Sequence, residues 1–96
     1  MKLLKIVDSR ANGKRYTAYF SVGEDNKLKK VHFGSATGEN YTMHKDEDKK
    51  KAYIARHQVN EDWDNPITAG ALSRWILWNK KTIGQSKKDF VKRFNL

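Results

Sequence analysis

Ninety-six residues without a cysteine exclude disulfides, thiolate metal sites and cysteine nucleophiles, and a chain this short cannot divide its core between two domains. Twenty Lys and Arg stand against eleven acids, a net charge of +9, and no apolar run approaches the ~18 residues that a membrane span needs. What remains is a small basic domain: a polyanion-binding module, a structural or assembly protein, or an enzyme built on histidine.

The charge is unevenly spread. Residues 1–44 hold eight Lys/Arg against four acids, residues 45–79 six against six, and residues 80–96 six against one. Basic flanks around a neutral centre favour polyanions such as nucleic acid. The eleven aromatics supply most of the large apolar surface, each able to bury roughly 150–250 Å². Absence of cysteine fits a reducing compartment, and the opening MKLLKIVDSR lacks the small-residue cleavage site of a secretory signal. The expectation is an intracellular protein, neither secreted nor membrane-spanning.

Lys2 to Ser9 has the composition of a first strand, with Leu3, Ile6 and Val7. Asn12-Gly13, between Arg10 and Lys14, suits a type I′ hairpin turn. From Arg15 to Val22 the pattern alternates: Tyr16, Ala18, Phe20 and Val22 fall on one face, and Arg15, Thr17, Tyr19 and Ser21 on the other. Gly23-Glu24-Asp25-Asn26 predicts a second turn, and Lys27 to Phe33 a third strand. The result is a three-stranded antiparallel meander over residues 1–33, whose apolar face requires a cover of helices.

Gly34 to Asn40 is a loop by composition and lacks the Gly-Lys-Ser/Thr ending of a phosphate-binding loop. Helices are expected over residues 46–59, where Asp46, Glu47 and Asp48 favour an N-terminus, and over 68–81 with Thr68 as cap. A third, over 86–94, would be capped by Ser86 with Asp89 in an imperfect capping box. The fold class is therefore α+β, residues 1–96 forming one domain in which about three α-helices pack on one face of the meander.

The pieces Val31-His32-Phe33-Gly34-Ser35, Tyr41-Thr42-Met43-His44-Lys45-Asp46, Tyr53-Ile54-Ala55-Arg56-His57, Trp63, Thr68-Ala69-Gly70 and Ser73-Arg74-Trp75-Ile76-Leu77-Trp78-Asn79-Lys80 cover about half of the chain. Together they resemble a family of short basic proteins of unknown function encoded by large nucleocytoplasmic DNA viruses. Lys81 stands where that family usually has a proline. The resemblance implies a viral origin, a setting in the infected cell with packaging in the virion as an extension, and a structural or genome-associated role. It implies no enzymatic activity.

Three histidines, His32, His44 and His57, lack the spacing of a zinc site or a histidine nuclease, and a structural role is the expectation for His44 and His57. Arg56 and Arg74 are expected to form ion pairs within the neutral segment, and Trp75 and Trp78 to belong to the core. Trp63, in a polar stretch, reads either as a lid on the core or as an exposed anchor. The candidate nucleic-acid contacts are Arg10, Lys14, Arg15, Lys29, Lys30, Lys80, Lys81, Lys87, Lys88, Lys92 and Arg93, with no catalytic residue, metal or cofactor. They point to phosphate-mediated, sequence-tolerant binding of nucleic acid, DNA before RNA. The alternative is a virion structural or assembly protein whose basic flanks meet acidic protein partners.

Overall fold

In the computed structural model, which describes all 96 residues, the β-compatible segments form β1 (Lys2–Asp8), β2 (Lys14–Val22) and β3 (Lys27–Ser35). They make one antiparallel sheet in the order β1-β2-β3. Side chains alternate across it, so Ala18 and Phe20 of β2 and Phe33 of β3 point to one face and are fully buried. The register slips between Leu3 and Lys5. That bulge shifts the phase of β1, so Leu3 and Ile6, three residues apart, both reach the core face, whereas Leu4 is left 52% exposed.

The first turn differs from the expected type I′. Only Gly13 takes a positive φ, 78°, and the Lys14 N–H donates to the Ala11 carbonyl at 3.2 Å. Type I′ needs left-handed geometry at both central residues, and here Asn12 does not supply it.

Four helical pieces follow: α1 (Tyr41–His44), α2 (Glu47–His57), α3 (Ala69–Leu72), continued without a break by a π-helical segment (Ser73–Leu77), and α4 (Ile83–Phe94). Asn40, Asp46, Thr68 and Thr82 each accept a backbone N–H with the side chain and so cap α1, α2, α3 and α4. α1 has no counterpart in the sequence expectation. The expected helix over 68–81 starts where anticipated, but its winding loosens at Ser73 and it stops at Trp78. The last helix starts at Ile83 rather than at 86, because Thr82 supplies the cap. Ser86 lies instead within the helix, fully buried, and accepts the Lys80 N–H at 3.0 Å, a donor that the incoming loop would otherwise leave without a partner.

Leu72, Ile76, Leu77 and Phe90 descend on Ala18, Phe20 and Phe33 to make the core, with the Phe20 and Phe90 rings 6.4 Å apart. α3, its π extension and α4 thus cover one face of the sheet. On the other face, Lys5, Val7, Leu28, Lys30 and His32 are exposed.

Candidate nucleic-acid interface

The uncovered face is built by the residues of β2 that alternate with the core. Register places Lys5 of β1 and Lys30 of β3 directly across from Tyr19. Their ammonium groups lie over its ring, 4.8 and 5.9 Å from the centroid. These are cation–π distances, and they hold the two charges on either side of one aromatic. Lys2 joins the same face opposite Ser21.

The next row is Val7, Thr17 and His32. Thr17 faces outward yet is only 3% exposed. Its hydroxyl donates to Ser9 Oγ at 3.0 Å and lies 2.7 Å from His32 Nδ1, while Ser9 Oγ also accepts the Ala11 N–H. This chain locks the imidazole onto the sheet by one nitrogen and leaves Nε2 free of protein partners. Around it Lys5, Asp8, Arg10, Tyr19 and Lys30 border a recess of about 620 Å³. Three cations against one carboxylate make it an anion-attracting surface.

The predicted basic residues separate. Arg10 and Lys30 border the recess. Lys14 lines a different cleft with Glu61, His57 and Trp78. The Arg15 guanidinium is engaged internally, donating to the carbonyls of Ser35, Ala36 and Gly38 at 3.2, 3.2 and 2.9 Å, and so fastens the loop after β3. Lys29 sits opposite Phe20 and points to the face opposite Lys30. Lys80 and Lys81 lie in the connection before α4. With Ser86 and Phe90 turned inward, Lys88 and Lys92 stand about 200° around the helix from Phe90 and face away from the sheet. Lys87 occupies the flank. Arg93 lies 3.8 Å over the Trp75 ring and pairs with Asp89 at 3.3 Å. The eleven residues therefore spread over opposite sides of the molecule. Lys5, Tyr19 and His32, absent from that set, were findable only from the cross-strand register.

The neutral segment is occupied with packing. Arg74 makes no ion pair with a carboxylate, contrary to expectation, and Arg56 is exposed without one. The Arg74 guanidinium lies 5.5 Å from the Trp63 ring and 4.3 Å from the Trp75 ring, and donates to the Trp78 carbonyl at 2.7 Å. Burial, then the nearby Arg93, pushes its pKa down. Trp63, Arg74, Trp75 and Arg93 thus pack together as one cluster of indoles and guanidinium groups. Trp75 Nε1 donates to the Trp63 carbonyl at 2.9 Å, and Trp63 Nε1 donates to Glu61 at 2.7 Å. Trp63 is thus a lid pinned to the helices.

Trp78 stacks on Tyr53 at 4.4 Å with planes 4° apart, and Tyr53 stacks on His57 at 4.3 Å. Burial, with Glu61 adding to it, raises the Tyr53 hydroxyl to about 12. His57 Nδ1 lies 3.2 Å from Glu61, and His44 Nδ1 accepts the Asp46 N–H at 3.0 Å while its ring packs against Trp78. The His44 ring thus packs within the helical layer, whereas the His57 side chain is 41% exposed at its edge.

No curated protein and no solved structure matches the chain. Residues 4–57, which span nearly all of the sheet together with α1 and α2, match a family model described as a family of unknown function. That stretch is more than half of the sequence, and the chain therefore belongs to the DUF5754 family.

Proposed function

We propose that this protein is a binding module for nucleic acid, without catalytic activity, whose contact surface is the uncovered face of the sheet and whose affinity comes chiefly from phosphates. The observation that carries this reading is the row Lys5, Tyr19 and Lys30, an aromatic held between two ammonium groups on a face that no helix covers. Arg10 and Lys2 extend the same positive field, and the net charge of +9 supplies long-range attraction. The resemblance to proteins of large DNA viruses supplies a setting, the viral genome in the infected cell or the particle, and makes DNA the first probe.

The test is a pair of double charge reversals read by salt-dependent affinity. K5E/K30E should weaken binding at least tenfold and lower the slope of log affinity against log salt by about 0.7–0.9 for each lysine that contacted a phosphate. K88E/K92E, on the far side of α4, should leave the slope nearly unchanged. The opposite outcome transfers the interface to α4. Affinity unchanged in both variants overturns the assignment of the contact surface to either face, and retention of acidic protein partners after nuclease digestion with no affinity for DNA or RNA removes nucleic acid from the account in favour of the assembly role.

A further inference from the structure

We infer that the row Lys5, Tyr19 and Lys30 seats one unpaired nucleotide, its base stacked on Tyr19 and its two flanking phosphates on the lysines, so that the ligand of this face is single-stranded nucleic acid. The inference rests on the reading of the face as a nucleic-acid surface and specifies the form that it takes. Tyr19 stands on the central strand with its two partners directly opposite. Strands about 4.8 Å apart place the Cα atoms of Lys5 and Lys30 about 10 Å from one another with the ring midway. The phosphates of a nucleotide leave its sugar in opposite directions along the chain, so an ammonium on each side of the platform meets one of them. Along β2, the neighbours of Tyr19 on this face are Thr17 and Ser21. Both are short, so once the two ammonium groups now over the ring swing out to the phosphates, its face is free for a flat base.

A duplex uses this arrangement poorly. Base faces within a helix are covered by their neighbours, so a central tyrosine would meet only base edges or sugar, whereas an unpaired base offers its whole π-face. Stacking of this kind tolerates any base, in keeping with the absence of a recognition motif in the chain. The seat is also anchored: His32, in the next row on β3, is held on Thr17 and Ser9, so the cationic side of the recess has a fixed wall.

The test uses the whole chain and three labelled probes of equal length: an oligothymidine strand, a duplex, and a strand in which every base has been removed but every phosphate kept. Ribose and deoxyribose versions of the single strand are run side by side, and either one bound supports the inference while the tighter names the natural source. The base-bearing strand should bind at least about fivefold more tightly than the abasic one, the effect of one base–aromatic stack. Y19L should erase that difference, and Y19F should keep it. Equal affinity for the abasic strand, or tighter binding of the duplex, overturns the single-strand inference and leaves the phosphate reading intact. Failure of all probes to bind overturns both. Because the abasic comparison needs no variant, it holds whatever Y19L does to folding.

Discussion

Along β2, neighbouring residues live in different solvents. Ala18 and Phe20 are fully buried beneath Ile76, Leu77 and Phe90, whereas Tyr19 between them carries two lysines and no cover. On the covered face, position is fixed by exclusion of water and by close packing, both of which scale with buried area. Across from Tyr19 stand only long, flexible lysines, and hydrogen bonds hold the smaller neighbours, Thr17 to Ser9 and His32 and Ser21 to Asn26. The comparison teaches that stability and the proposed binding are carried by alternate residues of one strand, and so should be separable by mutation.

The largest expected effect tests this separation directly. Phe20→Ala should cost about 3–5 kcal/mol, the range for truncating a buried phenylalanine. That is a large part of the ~5–15 kcal/mol that holds a domain of this kind together. Tyr19→Ala, one position away, should cost less than about 1 kcal/mol. Urea unfolding of the two variants gives both values. Comparable losses would mean that the outer face is itself part of the stabilising structure and that the distinction is wrong.

A second test reads the burial of a ring on the covered side through pH. Burial raises the Tyr53 hydroxyl to about 12, so the folded state prefers the neutral phenol. The unfolded chain releases that proton near its ordinary value of about 10. Stability from this group is therefore complete below about pH 10 and declines as pH climbs towards the folded value, by on the order of 2 kcal/mol in all. Tyr53→Phe removes the ionisable group, and the difference in unfolding free energy between wild type and variant should shrink across this window. A difference that stays constant across this window would place Tyr53 in water.

Much of this comparison was written in local pattern. The alternation from Arg15 to Val22 separates core from surface because side chains on a strand switch sides at every residue, and Asp46 and Thr68 mark helix starts by chemistry that acts within one turn. Much of what failed depended on partners beyond the local turn. Thr82 and Ser86 are equally good caps by residue type, and the choice between them follows from the Lys80 N–H, which needs the Ser86 hydroxyl. The phase of β1 turns on a bulge that only pairing with β2 reveals. Site legibility followed the same rule. Charge singled out Arg10 and Lys30, but Lys29 and Lys30 look alike until the register sends them to opposite faces. Nothing near Arg15 announces that its guanidinium will be taken by carbonyls 20 or more residues away.

The smallest effect sharpens the comparison from the helical side. Arg74 is enclosed by Trp63 and Trp75 and donates to the Trp78 carbonyl, so Arg74→Met keeps an apolar stem of similar length but removes the cation and one donor. The loss should be about 1–2 kcal/mol, from a desolvated cation–π contact and a hydrogen bond to a partly buried carbonyl. Lysine should rescue little of it, since an ammonium cannot lie flat between two indoles. With the cluster opened, Trp63 loses the cation that helps to hold it down. The stretch from Asn60 to Asn65 should then be cut sooner by protease, and tryptophan emission should move to longer wavelength. Affinity for nucleic acid should not change, because Arg74 packs in the helical layer on the covered side of the sheet and Tyr19 lies on the other. Weakened binding in this variant would mean that the indoles touch the ligand, and the interface would have to be redrawn around Trp63 and Trp75.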